Sequence, residues 1–396
     1  MSSSFFITGG SLISSSEYVE KPNPGIRVED GLIAGFGADI REGGDQVIDT
    51  TGCVIGPALI DLHTHIYWGA TSLGVPPEYV AARSGTGTFV DAGSAGSGNF
   101  LGYRTFINDR SKLRCFAFLN VSYAGIFGFG ADISVGEGEL ASLLDFDSCL
   151  RTAAENQDLI KGIKVRAGAV AAGANGELAI QIGRRVADEL GLPLMCHVDN
   201  SPPSIQEGLS YLRTGDILTH CCKPTPNTVV DDNGSIIPEL LEAIQRGVLL
   251  DIGHGMGGYD FEVSRQLLDA GIPPDTISSD IHSLSVDGPA FDQLTTMNKM
   301  IALGMPVSDV FAASIKTPAA IINQPQLATL ELGTPADIAI FEWRMEPLTL
   351  VDASKNSLVG ERHLNCKHLL VDGQEIAAHD ATRHPFSIQH RPSHVS

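Results

Sequence analysis

Two histidines one residue apart, His63 and His65, close the run Ile55-Gly56-Pro57-Ala58-Leu59-Ile60-Asp61-Leu62-His63-Thr64-His65. The run is short, opens around Gly-Pro and carries branched side chains, so it reads as a buried strand. Side chains on a strand alternate faces, and both imidazoles therefore project to one side at its C-terminal end. Imidazoles paired at such a place suggest a metal ion. On its own a His-x-His motif is weak. Its weight comes from what the later strands end in.

Strand candidates lie at 59–63, 88–91, 115–120, 160–165, 193–197, 217–220, 248–252 and 276–279. The fourth ends in Lys164-Val165-Arg166, the fifth in His197, the sixth in His220 and the eighth in Asp280. In a barrel of alternating strands and helices, functional side chains sit at the C-terminal strand ends. Four histidines, one lysine and one aspartate thus converge on one mouth. An ammonium is not a metal ligand. Desolvated beside a metal, however, a lysine can lose its proton and take up carbon dioxide as a carbamate, an anion with two oxygens suited to two cations. Burial and nearby positive charge both depress its pKa from the usual value of about 10.4. For Lys164 alone, a side chain snorkelling to solvent is the plainer reading; its neighbours favour the carbamate.

The elements that must position these residues follow from the same texture. Helical stretches at 148–156, 179–190, 204–212, 237–245 and 261–270 separate most of the strands. The pattern predicts an α/β fold, a (β/α)8 TIM-like barrel over 55–328. A doubly wound sheet would show a Gly-rich nucleotide loop after its first strand. Gly93-Ser94-Ala95-Gly96-Ser97-Gly98 lacks the P-loop lysine and does not match the dinucleotide fingerprint, so it reads as a flexible loop. Helices at 293–303 and 307–314 lead to strand-and-turn units at 333–341 and 368–373. Residues 1–54 have the same character, with Asp30-Gly31 as a hairpin signal. The simplest arrangement is a small β-sandwich domain built from both chain termini, 1–54 plus 329–396. Residues 380–396, polar and rich in histidine, are expected to form a loosely held tail, and the histidines from His363 onward to lie at the surface.

The 396 residues can bury a large core, and 43% hydrophobic with 18% charged residues describes a folded soluble chain. The formal charge of -21 argues against nucleic acid or an anionic membrane as partner. No apolar run is long enough to span a bilayer, and the first ten residues lack the basic region of a signal peptide. Seven scattered cysteines without a Cys-x-x-Cys suit free thiols in a reducing cytoplasm.

Alternation also selects neighbours. Asp61 shares a face with His63; it either orients a ligand imidazole or completes a buried polar network. Arg166, Asp199 and Cys222 lie two positions beyond Lys164, His197 and His220. Arg166 either grips a substrate carboxylate or forms a structural salt bridge at the rim. Cys196 and Cys221 should face helix packing. Asn120 ends the third strand, and His254, flanked by glycines after the seventh, is the foremost candidate for touching substrate. His282 could do so or support Asp280.

Taken together, Ile60-Asp61-Leu62-His63-Thr64-His65, Asp91-Ala92-Gly93-Ser94-Ala95-Gly96, Gly162-Ile163-Lys164-Val165-Arg166, Gly215-Asp216-Ile217-Leu218-Thr219-His220, Gly253-His254-Gly255 and Ser278-Ser279-Asp280-Ile281-His282 carry a resemblance. The chain resembles the amidohydrolase superfamily of metal-dependent hydrolases, and within it the amidohydrolase/deacetylase, dihydroorotase-like branch. Ala58 stands where that family commonly has glycine. The resemblance implies two divalent ions, usually Zn2+, one held by His63, His65 and Asp280 and the other by His197 and His220. N6-carboxylated Lys164 and a hydroxide would bridge them, with Asp280 as catalytic acid/base. It implies a hydrolase removing an acyl group, foremost acetyl, from an N- or O-acylated small carboxylic acid. A cyclic amidase or lactonase of dihydroorotase or hydantoinase type is the alternative within enzymes, and a non-catalytic scaffold the alternative outside them. A homo-oligomer is plausible for the family.

Overall fold

The computed structural model describes residues 4–13, 18–130, 132–231 and 233–378. Seven parallel strands form its largest sheet: β1 (Leu59–Thr64), β2 (Thr86–Gly96), β3 (Arg114–Asn120), β4 (Ile160–Ala167), β5 (Leu194–Val198), β6 (Ile217–Thr219) and β7 (Leu249–Asp251). Each pairs with its sequence neighbour, so spatial order repeats chain order. Every residue of β1 and β2 is buried, as expected of parallel strands covered on both faces.

The eighth expected strand, 276–279, is not a regular strand. Thr276 bridges Asp251 on one edge of the sheet and Ile281 bridges Thr64 on the other, which curls the sheet toward itself. Between those bridges the segment relies on side chains. Ser279 donates from N and Oγ to Asp61 at 2.9 and 2.5 Å, and Ser278 Oγ donates to Asp251 at 2.7 Å. Asp61 therefore serves a buried polar network.

Helices cover the strands where the apolar periodicity placed them, at Phe146–Glu155, Gly176–Leu190, Ile205–Ser210, Pro238–Gln245, Phe261–Asp269, Gln293–Ala302 and Val307–Ser314. Their starts carry the chemistry of caps: Ser204 and Glu207 form a reciprocal capping box, and Asp260 and Asp292 accept main-chain N–H groups. Glu78–Ser84, Phe100–Phe106 and Lys316–Ile321 are additional helices of six or seven residues. Among the described residues no helix is long and apolar enough to cross a membrane.

Both ends of the chain meet in a six-stranded sheet. Ile338–Arg344 lies at its centre, antiparallel to Cys53–Pro57 and to His363–Val371. A second sheet holds Phe5–Thr8, Ile26–Glu29, Leu32–Phe36 and Gln46–Asp49. Side chains from both, including Ile7, Val28, Ile55 and Ile338, share one apolar core. The run read as one strand from Ile55 to His65 therefore divides at Ala58: its first part joins the terminal sheet and its second opens the parallel sheet. Asp30 and Gly31, both at positive φ, make the turn expected between Glu29 and Leu32. The expected tail at 380–396 lies outside the described residues.

Candidate metal centre

The carboxyl ends of β1 and the 276–281 segment bring His63, His65 and Asp280 together, with ligand atoms all within 4.8 Å of one another. Asp280 Oδ1 lies 3.1 Å from His65 Nε2 and 3.4 Å from His63 Nε2. It is buried and has no hydrogen-bond partner. A buried, unpartnered carboxylate oxygen aimed at two imidazoles is costly unless something else binds it. A cation satisfies it.

The other expected ligands stand around this trio. His220 packs against His63 and His197, with ring centroids 5.1 and 4.4 Å away. Lys164 is fully buried, and its Nζ lies 3.2 Å from His63 Nε2 and 3.4 Å from Met195 Sδ. Burial lowers its pKa to about 8, with Asp280 and Asp251 opposing. Both His220 (φ 59) and Asp280 (φ 45) hold left-handed backbone conformations, a strain that surrounding contacts must fix.

Hydrogen bonds at the far side of the rings decide which nitrogen is free. His220 Nδ1 faces the Gly253 carbonyl at 2.6 Å, so it must donate, and Nε2 carries the lone pair. His63 Nδ1 meets Thr219 Oγ1 at 2.8 Å, and Thr219 gives its single hydroxyl proton to Asp251 at 2.7 Å. Thr219 can then only accept from His63, which again leaves Nε2 unprotonated. His65 Nδ1 rests on Ser94 Oγ at 2.8 Å. Burial first, and neighbouring positive charge second, push His63 down to about 4. Burial likewise brings His220 to about 3 and carries His197 well below the usual range. Burial opposes charge on Asp280, yet the imidazoles of His63 and His65 hold its carboxyl well below the usual carboxylate range. The neutral forms that burial favours at His63, His197 and His220 leave ring nitrogens able to bind a divalent cation, so the donor set fits such ions.

A cavity of about 310 Å³ opens above this cluster and is lined by His63, His65, His197, His220, Asp280 and His282, with Arg166 in its wall. Arg166 lines the cavity and also forms a salt bridge, with Nη1 donating to the buried Glu137 at 3.0 Å. Two residues expected to touch substrate lie outside the cavity lining. His254 is buried away from the cavity lining, stacked on Tyr259 at 4.7 Å and bonded through Nε2 to Lys299 Nζ at 2.6 Å. Asn120 is also absent from the lining; it donates to the Gly93 carbonyl at 3.0 Å and accepts from Ser122 N at 2.8 Å. The Gly-rich stretch from 93 is not a flexible loop either, since buried β2 runs through Gly96. A Cβ at Gly93 would meet Lys164 Cγ at 2.7 Å, so glycine there admits the lysine. Cys222 packs in the core with Cys221, Sγ to Sγ 3.6 Å. Asp251, Glu137 and Lys223 had no signal in the sequence reading.

Imidazoles and a carboxylate gathered at the carboxyl ends of a curled parallel sheet define a hydrolase scaffold. The chain is 33% identical over 350 residues to a deacetylase of Agrobacterium fabrum, covering 88% of this chain and 85% of the relative. A deacetylase of Brucella anthropi is 33% identical over 351 residues, covering 88% and 87%. A crystal structure of a dihydroorotase superposes with a TM-score of 0.87 at 30% identity, covering 95% of this chain and 99% of the other. No family profile matches the chain. The chain belongs to the amidohydrolase superfamily, in its dihydroorotase-like branch.

Proposed function

We propose that the protein is a metal-dependent hydrolase that removes an acyl group, foremost acetyl, from the nitrogen or oxygen of a small carboxylic acid. One observation carries the reading: Asp280 Oδ1 is buried, unpartnered and directed at His63 and His65. His63, His65 and Asp280 would hold one divalent ion, zinc foremost, and His197 and His220 a second, with Lys164 as the carbamate between them. Bound there, the ions would supply Lewis acidity for the scissile carbonyl and for a water. This chain's residues do the rest. Thr219, Ser94 and the Gly253 carbonyl orient the rings. Asp280, ionised, accepts a proton at its carboxylate and returns it to the leaving group. The deacetylase names of the relatives at 33% identity support hydrolysis of an open-chain acyl group rather than ring opening.

The likeness to a dihydroorotase favours a second reading, a cyclic amidase or lactonase. Turnover of acetylated 2-amino and 2-hydroxy acids by the zinc-loaded protein, set against cyclic imides and lactones, separates the two; opening of rings alone overturns the deacylase. A non-catalytic scaffold is disfavoured because each expected ligand residue is present. In the architecture we favour, the segment 276–281 completes an eight-stranded barrel and the two terminal sheets form a β-sandwich domain. Seven free thiols support a reducing compartment such as the cytoplasm.

A further inference from the structure

The cavity wall holds two cationic side chains, Arg166 and Lys223, whose charges are compensated differently. Arg166 is spent on Glu137, and both side chains are nearly buried. Lys223 has no such partner: among the described residues no carboxylate oxygen lies within 4.0 Å of its ammonium. Its Nζ donates to the main-chain oxygen of Asp199 at 2.9 Å. The Asp199 carboxylate attracts it but is taken by the main-chain N–H groups of Val170 at 3.2 Å, Ala171 at 3.1 Å and Asn200.

An ammonium has three N–H donors, and among the described residues only one is used. The backbone of Lys223 is fixed on the His220 turn, its N–H donating to the His220 carbonyl at 3.1 Å and its carbonyl accepting from Thr228 Oγ1 at 2.7 Å. Burial lowers its pKa to about 8, which keeps it mostly protonated at neutral pH. Much of the remaining lining is apolar, including Leu73, Ile126, Phe129, Val170 and Met256. A half-buried ammonium without an ion-pair partner, in a chain of net charge -21, is an unusual feature unless an anion completes it.

We propose that Lys223 receives the carboxylate of the substrate, so that the cavity selects monoanionic acids with an apolar side chain over their neutral amides. This rests on the hydrolase reading of the site but not on whether the scissile bond is open-chain or cyclic.

The test compares the wild-type holoprotein with Lys223→Met and Lys223→Arg. Binding by calorimetry and turnover are measured for two pairs: N-acetylphenylalanine against its carboxamide, and dihydroorotate against dihydrouracil, which lacks the carboxyl. Charge-assisted hydrogen bonds predict that wild type favours an acid by about 10- to 100-fold. That preference should collapse in Lys223→Met through KM and Kd, and survive largely in Lys223→Arg. Equal losses for acid and neutral partner would show a merely structural lysine, and absence of any acid preference in wild type would overturn the proposal even if the variant did not fold. A wild type that binds acids preferentially but hydrolyses neither pair would lose the hydrolase reading and keep this one.

Discussion

At the scale of single residues, the site depends on which ring nitrogen of His63 is bare. That choice is made by Asp251, which is fully buried and accepts from Thr219, Thr276 and Ser278 at 2.6–2.7 Å. In Asp251→Asn, an amide N–H turned toward Thr219 would make the hydroxyl accept from it and donate to His63 Nδ1. The proton of His63 would then move to Nε2, where the metal should bind. Zinc affinity, read by competition with a chelator, should fall about 10- to 100-fold with the fold retained. An unchanged affinity would show that Thr219 does not transmit the carboxylate's preference. Lys164→Ala should lose zinc and activity together. Full metal occupancy in that variant would refute the carbamate bridge.

Elements matter because they place these residues to fractions of an ångström. Gly255, at φ +50, lies where a Cβ would sit 2.2 Å from Asp280 Oδ2, so Gly255→Ala should displace the carboxylate. Zinc content after dialysis should drop at least about tenfold while far-ultraviolet circular dichroism stays near wild type. Retained zinc would mean that the loop yields freely. Much of this arrangement is legible because strand alternation and strand ends obey local rules: His63, His65, Lys164, His197, His220 and Asp280 all stand at predicted strand ends, and the fold brings them near one another. Asp251, Glu137 and Lys223 carry no such local signal, because their roles come from partners 24–32 residues away. The same limit applies to His254, which the structure places outside the cavity lining. Its glycine neighbours suggested access to substrate, but Lys299, from a helix 45 residues later, draws it inward. The short helices Glu78–Ser84, Phe100–Phe106 and Lys316–Ile321 escaped for want of turns enough to show a period. Lys299 itself gives a pH test. Burial brings its pKa from 10.5 to about 7. Between those values the unfolded chain binds a proton that the native chain does not, so the stability difference between wild type and Lys299→Met should shift toward wild type as pH rises from 7 to 10.5. The slope should approach about 1.4 kcal/mol per pH unit in urea melts; a flat difference would show a charged native lysine.

For the whole molecule, the terminal sheet and the metal centre occupy opposite ends of the parallel strands. Arg114, the first residue of β3, clamps Asp337 with Nε and Nη2 at 2.5 and 3.1 Å and also meets Asp372. Asp337 is buried, receives Asp372 N at 2.8 Å, and presents its own carbonyl to Ala58 N at 2.9 Å. Gly85 and Gly87, around the start of β2, pack against Phe341 and Val371 of the terminal sheet. All of these contacts fall at the amino ends of the strands, whereas every candidate ligand lies at the carboxyl ends. Removing the guanidinium leaves a buried carboxylate without its cation, so Arg114→Met should destabilise the protein by about 2–3 kcal/mol, discounted because the arginine is partly exposed. Distance from the histidines predicts that zinc affinity will hardly change. Thermal melting and chelator competition on the same preparation check both halves. A variant as stable as wild type would show that apolar packing alone docks the sheet, whereas a loss of zinc affinity comparable to that expected of Asp251→Asn would mean that the two ends of the strands are mechanically coupled.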